Sequence, residues 1–144
     1  MSLLQQAETD GNSMNRSLNE ACVMNKLPER FKNKIRSDVE FLLKSNIPNL
    51  KGIYLFGSCA RGAVKIGSDV DLLVVTEELM KDREQKGRIR CELYEVMRGV
   101  ATDLVFYTWN SLHSKEDLFT KQLRREGIIL WKEGEFSENW KQLL

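Results

Sequence analysis

Apolar positions recur along this chain with two different periods. Between Pro28 and Ser45, Phe31, Ile35, Val39, Leu42 and Leu43 follow the spacing of one helix face, and Pro28 suits a first helical turn. Asn46 to Gly52, with Pro48 inside it, reads as a turn. Ile53-Tyr54-Leu55-Phe56 is a continuous apolar run, as in a strand buried on both faces. The pattern then predicts a short helix over 58–63, a loop over 64–68 and a strand over 69–76. A long helix is expected from Leu79 to about Met97, with Ile89, Leu93 and Val96 inward. A strand over 102–108 follows, then a charged helix over 115–126 with Leu118, Phe119 and Leu123 inward. A strand over 128–131 and a short helix over 137–143 complete the pattern. Residues 1–26 are polar and weakly patterned. They read as a loosely held extension with a short helix over 17–24, leaving 27–144 as one domain. Strands that alternate with helices indicate an α/β layer structure.

Composition narrows the function classes. The 22 basic and 21 acidic residues nearly cancel, so no global field favours a polyanion and no strong nucleic-acid signal is present. The three cysteines, Cys22, Cys59 and Cys91, are odd in number and lack CxxC spacing. That argues against a zinc site or disulfide framework and for a reducing, cytoplasmic compartment. No apolar run is long enough to span a membrane, and no basic segment followed by an apolar one opens the chain.

The stretch "FGSCARGAVKIGSDVDLLVV" carries the chemistry. On a strand, Asp69 and Asp71 point the same way, while Val70 and Leu72 point to the core. Neighbouring carboxylates repel, and one is driven towards protonation unless a cation joins them. All-oxygen donors suit Mg²⁺, which binds one or two carboxylates together with substrate phosphates. Upstream, Gly57-Ser58 sits where a strand gives way to a helix. The glycine lets a phosphate approach the backbone, exposed amides at the helix start favour an anion, and the serine hydroxyl adds a donor. Asp103, at the start of "DLVFYT", completes a three-carboxylate cluster if its strand neighbours the 69–76 strand. Such a cluster can hold two metal ions for phosphoryl transfer.

The pattern Gly57-Ser58, ten residues, Asp69-Val70-Asp71-Leu72 resembles the signature of the DNA polymerase beta-like nucleotidyltransferases. The fuller string "GSCARGAVKIGSDVDLLV" is similar to that of the minimal nucleotidyltransferases (MNT). Those proteins are commonly paired, as antitoxins, with HEPN-domain toxins, and some transfer AMP from ATP to a tyrosine of the toxin. The likeness is tight over 53–76, looser through Asp103 and "EGIILW", and does not reach the first 26 residues. It implies an α/β (α+β) nucleotidyltransferase fold: a mixed central sheet of about four to five strands flanked by helices. It further implies Asp69, Asp71 and Asp103 as metal ligands and catalytic groups, Gly57 and Ser58 as triphosphate contacts, two Mg²⁺ ions, ATP as substrate and a HEPN protein as partner and acceptor. Cys59 stands where the family often has arginine.

Other residues have simpler readings beside the functional ones. Arg61, one helical turn after Ser58, can reach a phosphate or pair with a nearby aspartate. Ser68 is either a nucleotide contact or a turn residue. The basic residues Lys81, Arg83, Lys86, Arg88 and Arg90 are interleaved with Asp82, Glu84 and Glu92, as on a solvated helix face. His113 has no evident partner, and Cys59 reads as a small packing residue. "GSCARG" lacks the Gly-Lys-Ser/Thr ending of a Walker A loop. Two alternatives to protein modification remain: an antitoxin or adaptor that acts by binding alone, and a transferase that adds AMP to a small hydroxylated compound such as an antibiotic.

Overall fold

Four strands share one sheet in the computed structural model, which describes residues 12–134 and 139–144. They are β1 (Leu50–Phe56), β2 (Val70–Thr76), β3 (Thr102–Thr108) and β4 (Ile128–Lys132). Their order is β3-β2-β1-β4. β1 pairs antiparallel with both β2 and β4, whereas β2 and β3 run parallel. The sheet is therefore mixed, flanked by helices, in line with the fold class read from the sequence.

The two faces carry different layers. Ile53, Leu55, Val70, Leu72 and Val74 pack in one cluster with Met24 of α1 (Asn12–Lys26). Phe31, Ile35, Val39 and Leu42 of α2 (Glu29–Lys44) join it and have no exposed surface. Ile89 and Leu93 of α4 (Arg83–Tyr94) and Trp140 of α7 (Asn139–Leu143) complete that layer. Tyr54, Leu73 and Val75 point the other way, onto Leu112 of α5 (Trp109–Ser114) and Leu123 of α6 (Leu118–Glu126). By strand alternation, Asp71 and Asp103 share this second face, beyond the end of its smaller cluster.

Several elements differ from the periodicity. The N-terminal helix is longer than 17–24, and β1 reaches back to Leu50. The helix expected over 79–97 is shorter at both ends. Asp82 caps it by accepting from the Gln85 amide, and the chain turns extended at Glu95. Leu79 and Val96, the latter expected inside, are therefore exposed. The helix expected over 115–126 begins only at Leu118, and a short helix that the pattern did not predict, α5, precedes it. Thr108 caps α5 by accepting from the Ser111 amide, and Asp117 caps α6 by accepting from the Thr120 amide. Starting α6 at Leu118 turns Thr120, Leu123 and Arg124 inward. Leu118 is then 86% exposed and Phe119 44% exposed, so only Leu123 of the expected trio is buried. Part of the last expected helix, 137–138, lies outside the described residues, as do residues 1–11. No helix among the described residues is long and apolar enough to cross a membrane.

Candidate active site

β1 ends at Phe56, and the chain turns at once into the one-turn helix α3 (Gly57–Arg61). Gly57 makes that turn in the left-handed region, at φ +71°. A side chain there would also collide with Oδ2 of Asp71. The register explains why: Asp71 is the cross-strand partner of Phe56 on one side and of Asp103 on the other. Glycine is thus needed both for the backbone angle and to leave room for a carboxylate. Gly62, also left-handed, closes α3 with its amide donating to the Cys59 carbonyl.

Asp69 lies one residue before β2 and is exposed, as is Asp103, while Asp71 between them is half-buried. Burial, then the Asp103 and Asp69 carboxylates, push the Asp71 carboxyl up to about 6, and Arg61 pulls the other way. The sequence expectation that Asp103 lies on the strand beside Asp71 is met by the parallel β2–β3 pairing. Among the described residues, no group of three or more His, Cys, Asp or Glu side chains stands ready-made around a single metal position. The donor chemistry nonetheless fits a hard cation: carboxylate oxygens only, with one carboxyl made basic by its neighbours.

The surrounding residues sort themselves. Cys59 is buried, with its thiol directed to the Asp69 carbonyl at 3.8 Å. Burial, then Asp71 and Asp69, push that thiol up to about 12, as befits a packing residue rather than a nucleophile. The Ser68 hydroxyl accepts from the Lys65 amide at 2.8 Å, and the Ser68 amide donates to the Lys65 carbonyl at 3.0 Å, which is its turn role. Ser58 is half-buried at the head of α3. Arg61 pairs with Glu126 at 3.2 Å, and Glu126 also accepts from Gln122 at 3.2 Å. Phe56, Gly57, Arg61, Phe119, Gln122, Leu123 and Glu126 line a cleft of about 250 Å³ beside the glycine turn. Sequence reading found Gly57, Arg61 and the aspartates but not α6 as a wall of this cleft. Arg61 and Glu126 are 65 residues apart, and no local pattern joins them. His113 bonds the Trp109 carbonyl at 2.9 Å and stacks on its ring, so it has a structural partner.

A family model for the nucleotidyltransferase domain matches residues 32–130, more than half of the chain. The chain belongs to that family. This nucleotidyltransferase domain is similar, at 26% identity and a TM-score of 0.52, to a chain of a toxin–antitoxin complex solved with AMP-PNP. That likeness covers 74% of this chain and 78% of the other. A chain from a variant of the MntA–HpeT toxin–antitoxin pair is similar at 26% identity and a TM-score of 0.50, over 75% and 78% of the two chains. A protein from Sulfolobus solfataricus described as a nucleotidyltransferase, at 22% identity and a TM-score of 0.50 over 74% and 84%, shares the fold. No curated protein matches. The resemblance to minimal nucleotidyltransferases read from residues 53–76 is thereby borne out.

Proposed function

We propose that this nucleotidyltransferase moves AMP from ATP to a hydroxyl of a partner protein, of the HEPN type that the resemblance implies, and so acts as an antitoxin. The observation that carries the reading is the convergence of the Gly57 turn on Asp71, with Asp103 in register beside it. The likeness to a toxin–antitoxin chain solved with a nucleotide analogue supports the choice of partner and nucleotide.

In this reading the Gly57-Ser58 turn receives the β- and γ-phosphates through backbone amides and the Ser58 hydroxyl. Arg61, already poised at the same turn, adds positive charge there. Asp69, Asp71 and Asp103 would hold Mg²⁺ through their carboxylate oxygens. When bound, Mg²⁺ offsets the charge of the triphosphate and lowers the pKa of the attacking hydroxyl. The acceptor oxygen then displaces pyrophosphate from the α-phosphorus, and a carboxylate, Asp103 in our reading, takes its proton. The exposure of Asp69 and Asp103 leaves the site open enough for a protein surface to deliver that hydroxyl.

The test uses ATP labelled at the α-phosphate and, in parallel, at the γ-phosphate, with Mg²⁺ and the co-expressed partner. Label should reach the partner from the α-position only, and EDTA should stop it. Transfer from the γ-position would make the protein a kinase instead, and transfer in EDTA would remove the metal from the account.

A further inference from the structure

Beneath the sheet, on the face away from the aspartates, lies a buried ionic network. Lys34 and Asp38, one turn apart on α2, are 3% and 2% exposed, and Thr102 is 1% exposed. The Lys34 ammonium donates to Asp38 at 2.8 Å and to the Leu93 carbonyl at 2.7 Å. The Thr102 hydroxyl donates to the other oxygen of Asp38. A buried pair of this kind is not an economical way to gain stability, since apolar residues of similar volume often do as well. Its connections suggest another task. Leu93 is in the last turn of α4 and Thr102 opens β3, so the pair grips both ends of the link between them. That link is tight: Met97 and Val100 bridge each other, with Arg98 and Gly99 both at positive φ. Among the described residues β3 is also an edge strand, hydrogen-bonded to β2 alone.

Resting on the transferase reading above, we propose that Lys34 and Asp38 are positioning residues for Asp103. They fix Thr102 from the core side, and alternation along β3 then sets Asp103 on the opposite face, abreast of Asp71. Neither residue touches substrate. A small shift of β3 would move Asp103 relative to Asp71, and misplacement of about 1 Å in such a site can cost 10²-fold in rate.

Thr102→Val keeps the shape and removes the hydroxyl, Thr102→Ser keeps the hydroxyl, and Lys34→Met/Asp38→Leu replaces the pair by apolar volume. Each is measured for melting, for amide hydrogen exchange by residue, and for the kinetics of α-label transfer with MgATP. Thr102→Val and the double variant should remain folded but exchange about 10-fold faster over residues 100–104 alone. Their kcat should fall about 10- to 100-fold, with KM for MgATP held within about 3-fold. Thr102→Ser should restore both exchange and kcat. Folded Thr102→Val and double variants with wild-type exchange and kcat would overturn the proposal. So would a parallel loss of melting temperature, kcat and KM that Thr102→Ser does not rescue, since that marks a merely structural role. A wild type that transfers no label overturns the transferase reading instead, and the exchange measurement then decides the grip on β3 by itself.

Discussion

Asp71 is held against its own preference. Its carboxyl is raised from 3.8 to about 6 by burial and by two neighbouring carboxylates, so the folded chain binds that proton more tightly than the unfolded chain. The resulting stability is present below the ordinary carboxylate range and is lost as pH rises through about 6. Metal-free protein should therefore melt progressively lower across that window, and Asp71→Asn should flatten the slope and melt higher than wild type above it. Thermal melts of both proteins in EDTA across the window check this; parallel slopes would mean that Asp71 feels no such strain. Cys59 gives a second test at this scale. With its thiol pushed to about 12 and buried, it should resist alkylation in the native protein, while the exposed Cys22 and Cys91 react. Peptide mapping after brief iodoacetamide treatment separates the three sites. Residues of this kind were legible in the sequence where chemistry and spacing coincide, as at Gly57, Asp69 and Asp71. Glu126 and Gln122 were not, because Glu126 meets Arg61 only through the packing of α6 against α3, and Gln122 joins by donating to Glu126. The Lys34–Asp38 pair was half-visible: its spacing of one helical turn is readable, but its partners Leu93 and Thr102 come from elsewhere in the chain.

Elements were legible in proportion to how far local pattern decides them. α2 carries a regular apolar face, and Phe31, Ile35, Val39 and Leu42 all bury completely. Truncating the largest, Phe31→Ala, should cost about 3–5 kcal/mol by lost burial and a residual cavity. Chemical denaturation measures it; a cost below about 1 kcal/mol would show that α2 is not the lid of the core. β3 was placed to the residue because Val105 to Thr108 is a β-prone run. Of the helices around it, α4 and α6 were misjudged at their ends and α5 was missed. Caps at Asp82, Thr108 and Asp117 set where α4, α5 and α6 begin, and apolar periodicity ignores caps. The same error hid the cleft beside Gly57, since Phe119 was expected in the core. Instead it stands half-exposed, edge-on to Phe56 at 5.9 Å between ring centres. At this scale Gly57→Ala should abolish triphosphate binding while the strands around it persist, because the clash with Asp71 and the left-handed φ both fall on the turn itself. Calorimetry with MgATP and far-ultraviolet circular dichroism of the same sample read the two effects.

Across the whole molecule, one layer makes the fold and the other exposes the chemistry. The α1, α2, α4 and α7 side holds the larger cluster, whereas α5 and α6 cover only part of the opposite face and stop short of the aspartates. The strand order follows from pairings distant in sequence, β1 with β4 above all, and periodicity is silent on such pairings. The family resemblance supplied the mixed sheet that periodicity alone did not. In the function we propose, this open site with its carboxylates serves an enzyme that modifies a partner, and a protein that merely covers one would have no use for their charge. The most direct measurement compares wild type with Asp69→Asn/Asp71→Asn for partner binding and for transfer of label from α-labelled ATP. The asparagines keep the side-chain shape but remove the charge that, in the proposed mechanism, would hold the cations. Our account predicts that the variant still binds the partner but transfers no label and no longer neutralises it by modification. Equal neutralisation by both proteins, with no label transferred by wild type, would contradict it.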